Sequence, residues 1–108
     1  MRRRLPPAGD ASGGLDAHED VYYATRFTLG NYRISADFTH RERGNLKGFV
    51  AVLDEDGGNE QGLLRFNEYD ISARQVATLT VKKDEPRILR IHNGSGTVSY
   101  ALKIAKIE

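Results

Sequence analysis

Apolar and polar residues alternate along most of the chain from residue 21 onward. Tyr23 and Phe27 share one phase of the first stretch, and a second alternating stretch covers residues 32–38. A period of two residues is typical of half-buried β-strands. Gly30 and Asn31 lie between these stretches, and both residue types tolerate a positive φ, so they predict a hairpin turn.

The segment Phe49–Leu53 differs from its neighbours because it is apolar at every position. This pattern predicts a central strand that is covered on both faces. The charged stretch Thr39–Lys47 before it predicts a loop. Further strands are predicted at Leu63–Phe66, Ala77–Val81, Ile88–Ile91 and Val98–Ile104, with a corner over Asn67–Ala73 and the last two strands paired as a hairpin.

About seven short strands, with turn signals every eight to twelve residues or so, predict an all-β fold, a single antiparallel β-sandwich of jelly-roll type. The first twenty residues lack the alternation. They begin with a basic, proline-broken stretch, continue with small residues and end with acidic ones. Such a composition buries little apolar surface. The sequence therefore predicts a flexible N-terminal arm over residues 1–20 and a sandwich domain over residues 21–108.

Composition limits the classes of function. The 108 residues suffice for one domain, and 16 Lys and Arg against 15 Asp and Glu give a net charge of +1. This balance excludes a strongly basic nucleic-acid binder. The absence of cysteine excludes disulfides, thiolate zinc sites and cysteine nucleophiles. No apolar run approaches the roughly 20 residues that a membrane helix needs. Pro6 and Pro7 directly follow the basic start, which predicts no export signal in this chain.

Four segments carry a resemblance to a known family. Asp20–Phe27 combines an acidic residue, two tyrosines and an alternating strand, and Leu29–Ile34 contains Gly-x-Tyr-x-Ile. Phe49–Gly57 is an apolar strand that ends in an acidic, glycine-containing turn. Ile88–Ile91 and Ser99–Ile104 resemble a closing hairpin with Ser-Tyr-x-Leu-x-Ile. Together they resemble the bacterial pre-peptidase C-terminal domains, including the collagen-binding modules of clostridial collagenases, over about residues 19–107.

The resemblance implies a non-catalytic, jelly-roll-like sandwich of the kind appended to secreted hydrolases, where it assists binding or secretion. It also implies calcium near the N-terminal linker, as in some members. The chain departs from the family pattern in its basic arm and in lacking a peptidase and a signal peptide. The sequence does not fix the location; the two settings considered are extracellular, as an excised module, and a virion.

Aromatic and basic residues are the candidates for ligand binding. Tyr22 and Tyr69 are candidates for an aromatic platform, since aromatic rings offer flat, stiff apolar surface. Arg90, His92 and Lys103 share one surface if the last two strands pair. These five residues are consistent with recognition of an extended protein or polysaccharide. The alternative is that these aromatic residues belong to the core and the charges to a solvated face.

The other aromatic residues of the strands are expected in the core. By phase these are Tyr23, Phe27, Tyr32, Phe38 and Phe49, and Tyr100 shares the phase of Leu102 and Ile104 and is expected there too.

Two acidic groups are candidates for calcium, which prefers several oxygen ligands on a flexible loop. They are the turn residues Asp54, Asp56 and Asn59, and the linker residues Asp16, Glu19 and Asp20. The turn does not have the spacing of a helix-loop-helix calcium site. The alternatives are a polar hairpin turn and a solvated linker.

Other chemistry has little support in the sequence. Arg2, Arg3 and Arg4 neutralise few phosphates, so nucleic-acid binding is not expected apart from these residues. The histidines form no His-x-x-x-His pair, and no nucleophile elbow or glycine-rich phosphate loop is present. The chain is therefore predicted not to be an enzyme, although a small enzyme on a jelly-roll scaffold is a third option.

Two hypotheses of function follow. The first is a non-catalytic accessory or binding module for an extended polymer, protein or glycan, with calcium as a possible aid. The alternative is a structural subunit, such as a small virion decoration or tail protein, whose N-terminal arm docks on assembly. The second hypothesis predicts a stable homo-oligomer.

Overall fold

Seven β-strands and no helix are found in the computed structural model, which describes residues 2–4 and 9–107, with side chains from residue 9 onward. The strands are β1 (Arg2–Arg4), β2 (Gly9–Leu15), β3 (Asp20–Phe27), β4 (Gly30–Asp54), β5 (Gln61–Val81), β6 (Glu85–Asn93) and β7 (Val98–Lys106). All pairings are antiparallel except that of β1 with β3. The predicted all-β, antiparallel architecture is confirmed.

The two long strands β4 and β5 each take part in both layers of the fold. Residues 30–39 of β4 pair with residues 72–81 of β5, and β7 and then β2 follow on the other side; we call this layer sheet 2. Residues 44–52 of β4 pair with residues 61–70 of β5, and β6, β3 and β1 follow on the other side; this layer is sheet 1. The fold is therefore a sandwich whose layers are continuous through β4 and β5.

Aromatic pairs join the inner faces of the two sheets. The ring of Phe38 in sheet 2 stacks on that of Phe66 in sheet 1, with centroids 4.1 Å apart. The hydroxyls of Tyr23 and Tyr100, also from opposite sheets, are hydrogen-bonded at 2.5 Å in the buried core. Each pair buries large apolar area, and the hydroxyl bond satisfies polar atoms that burial would otherwise leave unpaired. The predicted core positions of Tyr23, Phe38 and Tyr100 are confirmed.

The central strand predicted at residues 49–53 lies within β4, and its burial follows the expected two-sided pattern. Val50 and Val52 belong to the main core between the sheets. Ala51 and Leu53 point to the opposite side of sheet 1, where they are buried together with Ile88 in a second, smaller cluster. Sheet 1 therefore has an apolar layer on its outer face as well, and this layer underlies the candidate site.

The predicted flexible arm differs from the structure over residues 9–15. These residues form β2, which pairs with β7 along its whole length. Small residues allow this close pairing, because a Cβ on Gly13 would lie 3.0 Å from the Tyr100 hydroxyl oxygen. Leu15 is buried at the end of the strand. The low hydrophobicity of residues 9–15 therefore reflects the small side chains that close pairing with β7 requires. Residues 1 and 5–8 of the predicted arm lie outside the described residues.

Three predicted local features are wrong because of the topology. Gly30 and Asn31 do not close a hairpin, since β3 pairs with β1 and β6 whereas β4 begins in the other sheet. The charged stretch Thr39–Lys47 is part of β4 and not a loop. Within it, residues 40–43 have a single residue, Ile71, opposite them, so the strand bulges there. Finally, β6 and β7 do not pair, because they lie in different sheets.

Asn93 joins the turns at one end of the sandwich. Its side chain is fully buried, and its amide nitrogen donates to the carbonyl oxygens of Leu15 (3.2 Å), Asp16 (3.0 Å) and Gly96 (2.8 Å). Its amide oxygen accepts from the backbone N–H of Ser95 at 3.1 Å. One side chain thus connects the β2–β3 turn with the β6–β7 turn and satisfies backbone groups that no strand pairs.

We expect Asn93→Asp to lower the free energy of unfolding by about 3 kcal/mol, because a buried carboxylate would face carbonyl oxygens and lose the amide donors. Urea denaturation measures the change. Asn67→Asp, at an exposed position of β5, introduces the same charge and should change stability by no more than about 0.5 kcal/mol. Equal effects of the two substitutions would contradict the role of Asn93.

We expect Gly48→Ala to destabilise the fold by about 3 kcal/mol, because an added methyl group must displace backbone. A Cβ at this position would lie 2.2 Å from the carbonyl oxygen of His92 and 2.8 Å from the Phe38 ring. Gly62→Ala is the control, since a Cβ there would meet nothing within 4 Å. Thermal unfolding of both variants tests this; a Gly48→Ala protein as stable as Gly62→Ala would disprove it.

Candidate functional site

Two neighbouring rows of side chains on the outer face of sheet 1 form the candidate site. The first row contains Asp20, His92, Phe49 and Arg65, contributed in turn by β3, β6, β4 and β5. The second row contains Tyr22, Arg90, Ala51 and Gly62 from the same strands. Strand alternation places these residues outward because their neighbours along each strand point into the core. We call this surface the outer platform.

The Asp20 carboxylate contacts the side chains of two other platform residues, Arg90 and His92. It accepts a hydrogen bond from His92 Nδ1 at 2.5 Å and another from Arg90 Nη2 at 3.1 Å. All three side chains are about three-quarters buried. Charge-assisted bonds between partly desolvated groups are stronger than those between exposed ones. The carboxylate therefore fixes the orientation of both the imidazole and the guanidinium.

Phe49 is the apolar centre of the platform. The imidazole of His92 stacks on its ring at a centroid distance of 5.0 Å and an interplanar angle of 28°. The guanidinium carbon of Arg90 lies 5.1 Å from the same ring centroid, in the range of a cation–π contact. Phe49 thus packs against the two groups that Asp20 orients, and the side chains form one connected assembly.

Arg90 connects the platform to the loop before β5. Its Nη1 donates to Glu60 at 2.9 Å, in addition to the bond to Asp20. Burial by itself would lower the pKa of Arg90, but the hydrogen bonds to Glu60 and Asp20 outweigh it and the pKa is raised above its usual value. Arg90 Nε is buried and has no hydrogen-bond partner among the described residues. Arg90 therefore stays positively charged between two carboxylates, with one donor unused.

A shallow groove of about 800 Å³ lies beside the connected side chains of the outer platform. Its floor contains Ala51 and Gly62, and the space above Gly62 is open, because an added Cβ would meet nothing within 4 Å. The side chains around the floor are Phe49, His92, Glu60, Arg65, Asn67 and Lys47. The groove therefore combines an apolar floor with hydrogen-bonding groups at its border, the general character of a small-ligand site.

The structure brings together three of the five predicted ligand residues. Tyr22, Arg90 and His92 lie on the outer platform, with Tyr22 directly opposite Arg90. Tyr69 lies farther along β5, where it is 63% exposed and shares the phase of Arg65. Lys103 lies on β7 in sheet 2, paired with Asp10 and Ser35. The expectation that Lys103 shares a surface with Arg90 and His92 is wrong, because it required β6 and β7 to pair.

Sequence reasoning missed the roles of Phe49, Asp20 and Glu60. Phe49 was expected in the core between the sheets, and this is wrong, because it shares the phase of Ala51 and Leu53, which face outward. Asp20 was grouped with the acidic linker, whereas it is part of β3. The phase of residues 49–53 was a signal that could have identified Phe49. The contacts of Glu60 depend on a loop conformation that no pattern encodes.

The acidic turn uses its polar groups internally. The Asp54 carboxylate accepts from the side-chain amide of Asn59 at 2.5 Å and lies 3.7 Å from Arg87 Nε. The Asp56 carboxylate accepts from the backbone N–H of Gly58 at 2.9 Å. These contacts are those expected of a hairpin turn between β4 and β5.

The linker acids are likewise dispersed over different contacts. Glu19 Oε1 accepts from the backbone N–H of Asp16 at 2.6 Å, whereas Asp20 binds Arg90 and His92. In the described part of the chain, no group of three or more His, Asp or Glu residues is arranged to hold a metal ion. Calcium binding remains a prediction, and the function proposed below does not use it.

Two further expectations concern nucleic acid and membranes. The backbone of Arg2–Arg4 forms β1 beside β3, but the side chains that would contact phosphate lie outside the described residues. Within residues 2–4 and 9–107, no helix is long and apolar enough to cross a membrane.

Comparisons with known proteins give matches of structure. No protein-family model and no curated protein matches the sequence. The pre-peptidase C-terminal domain of a collagenase from Bacillus anthracis matches 97% of this chain and 95% of its own, with a TM-score of 0.58 and 16% identity. A 4-O-methyl-α-glucuronidase with specificity for decorated arabinogalactans matches 90% of this chain but only 14% of its own, with a TM-score of 0.62 and 10% identity.

A third match is a carbohydrate-binding module from a Cellvibrio mixtus lichenase, solved with cellotriose. It covers 94% of this chain and 88% of its own, with a TM-score of 0.56 and 12% identity. At such identities the matches establish shared architecture and not shared residues. The resemblance to pre-peptidase C-terminal domains is therefore confirmed as a likeness of fold, and the chain has a β-sandwich similar to that domain and to a carbohydrate-binding module.

Proposed function

We propose that the protein is a non-catalytic binding module that holds a segment of an extended glycan in the groove beside the outer platform. The observation that carries the proposal is the connected assembly of Asp20, His92, Arg90 and Phe49. Phe49 and His92 line the groove, and Asp20 and Arg90 hold them in their orientation. Pre-orientation lowers the entropy lost on binding, and it is characteristic of recognition surfaces.

The groove chemistry favours a sugar over an apolar ligand. A sugar ring presents C–H faces, which pack on an aromatic ring such as Phe49, and hydroxyls, which bond planar polar side chains. His92, Glu60, Arg65 and Asn67 provide such groups at the border of the groove. The openness of the groove over Gly62 suits a chain that continues beyond the bound segment. The fold shared with a carbohydrate-binding module is consistent with this class of ligand.

The described contacts of His92 include no hydroxyl that it could activate as a nucleophile. Activated nucleophiles require a base within hydrogen-bonding distance of a hydroxyl or thiol. The described contacts of His92 are instead to Asp20 and to the Phe49 ring. In the proposed function, His92 acts as a hydrogen-bonding and stacking group.

We expect Phe49→Ala and Gly62→Val each to weaken glycan binding by about tenfold or more, the first by removing the apolar contact and the second by filling the floor of the groove. A panel of soluble polysaccharides in affinity electrophoresis identifies the ligand, and calorimetry with an oligosaccharide of it measures the affinity. Leu29→Ala removes an exposed apolar side chain from the β3–β4 turn and is the control. Unchanged affinity in both groove variants, with their folds intact, would contradict the proposed site.

The absolute mass in solution separates a binding module from a structural subunit. We expect a monomer of 12.1 kDa by size exclusion with light scattering, and the same mass with calcium added. A closed oligomer that survives dilution would favour the structural-subunit hypothesis. A calcium-dependent decrease in hydrodynamic radius would direct attention to Asp16 and Glu19.

A further inference from the structure

We propose that a basic cleft adjoining the groove binds carboxylate groups of the ligand, so that the preferred ligand is an acidic glycan. This inference rests on the proposed function and names the substrate class of the same surface. The cleft has a volume of about 610 Å³ and lies between the β4 bulge, residues 40–43, and the β6–β7 turn, residues 94–97. We call it the basic cleft.

The bulge gives the basic cleft its charged wall. Four residues of β4 stand opposite Ile71, so they cannot all continue the ladder, and the backbone arches away from β5. Arg41, Glu42 and Arg43 are consequently exposed. Bulges commonly redirect side chains beside functional sites. The arch presents a cluster of charge at the end of sheet 1.

His40 contacts both walls of the basic cleft. One ring nitrogen, Nε2, lies 2.7 Å from the carbonyl oxygen of Asn45, just beyond the bulge on β4. The other, Nδ1, lies 3.3 Å from the carbonyl oxygen of Thr97, across the basic cleft. Asn93 anchors the β6–β7 turn, because its side chain donates to the carbonyl oxygen of Gly96 and accepts from the N–H of Ser95. The walls are also joined where the N–H of Gly94 donates to the carbonyl oxygen of Lys47 at 2.8 Å, so the cleft is a built feature of the fold.

The charges of the basic cleft are largely uncompensated. Its lining contains Arg41, Arg43 and Lys47 against Glu42 as the acidic residue. In the described part of the chain, neither Arg41 nor Lys47 has an acidic partner within 4.0 Å. The contact of Arg43 is with Asp70 at 3.9 Å, and both side chains are well exposed, so this pair is weak. Cations without partners are available to an external anion.

The basic cleft and the groove form one continuous surface. Lys47 and Gly94 line both of them. Lys47 pairs with Asn67, and the next outward pair along the strands is Phe49 with Arg65, so Lys47 and Arg65 are diagonal neighbours about 7–8 Å apart at the Cα atoms. Arg65 is also without an acidic partner among the described residues. A polymer in the groove therefore extends past Arg65 and Lys47 into the basic cleft.

The distribution of charge favours an acidic glycan over a nucleic acid. Duplex DNA carries one negative charge per roughly 1.7 Å and needs a continuous basic track. The cations here are concentrated at the cleft, whereas Glu60 borders the groove and Asp20 lies on the outer platform, where Arg90 and His92 contact them. A glycan that carries separated carboxylates and uncharged rings matches this pattern, since its rings suit the groove and its carboxylates suit the cleft.

Matched anionic and neutral polymers test the inference. The probes are polygalacturonate against its methyl ester, and carboxymethylcellulose against hydroxyethylcellulose, in affinity electrophoresis at low and high salt. We expect at least one anionic member to bind about tenfold or more tightly than its neutral partner, with an affinity that falls as salt rises. The double variant Arg41→Gln with Arg43→Gln should abolish this preference.

The control variant is Arg33→Gln with Lys82→Gln, which removes the same charge from sheet 2 and from the β5–β6 turn. Both double variants should retain the wild-type melting temperature, because the substituted side chains are exposed. Loss of the preference in the first variant and its retention in the second supports the basic cleft. Equal loss in both would overturn it, because nonspecific net charge would then account for the preference.

Other outcomes separate this inference from the proposed function. Binding to neutral glycans in the polysaccharide panel, with no preference for either anionic polymer, overturns the acidic class but leaves the proposed function intact. Binding to no glycan at all overturns both. Dextran sulfate is included to distinguish carboxylate from sulfate, and stronger binding to it than to both carboxylated polymers would overturn the assignment of carboxylate. Binding to duplex DNA without binding to polygalacturonate or carboxymethylcellulose would overturn the choice of a glycan.

Discussion

The continuity of β4 through both sheets is the constraint on which the rest of the structure depends. One 25-residue strand pairs with β5 along most of its length, with β7 in its first half and with β6 in its second. Because side chains alternate strictly along a strand, the register of β4 decides which residues face the core in both sheets. The bulge at residues 40–43 shifts the pairing with β5 at the corner, but even-numbered residues of β4 face the core on both sides of it, so Val50 lies inward and Phe49 outward.

The candidate site depends on this register in two ways. Phe49 and Ala51 face outward on β4, directly beside His92 and Arg90 on β6, which makes the outer platform possible. The residues displaced by the bulge form the wall of the basic cleft. Asp20 compensates the positive charge of Arg90 on the platform, whereas the cations of the cleft remain available to solvent. Charge is thus unevenly distributed over the surface, although the whole chain is almost neutral.

Local patterns predicted the strands well and their partners poorly. Alternation identified the core positions of Tyr23, Phe38 and Tyr100, because burial on one face has a fixed period. The partner of β6 could not be inferred, since a short turn after a strand is equally compatible with a hairpin and with a crossing between sheets. For the same reason Lys103 was grouped with Arg90 and His92. The strand β2 was not predicted, because it is stabilised by close backbone pairing with β7. Small residues permit that pairing, but they give no hydrophobic alternation in the sequence.

The topology also has a consequence for the order of folding. Among the described strands, β4 and β5 are the one pair of sequence neighbours that hydrogen-bond to each other, and the turn over residues 55–60 joins them. Every other pairing joins strands that are distant along the chain, so the entropy of closing long loops must be overcome before those contacts form. The β4–β5 hairpin is therefore the natural nucleus, and the module should fold on a timescale of about milliseconds to seconds, as sandwiches rich in non-local contacts do. The strand that defines the binding surface is then also the strand on which the others assemble.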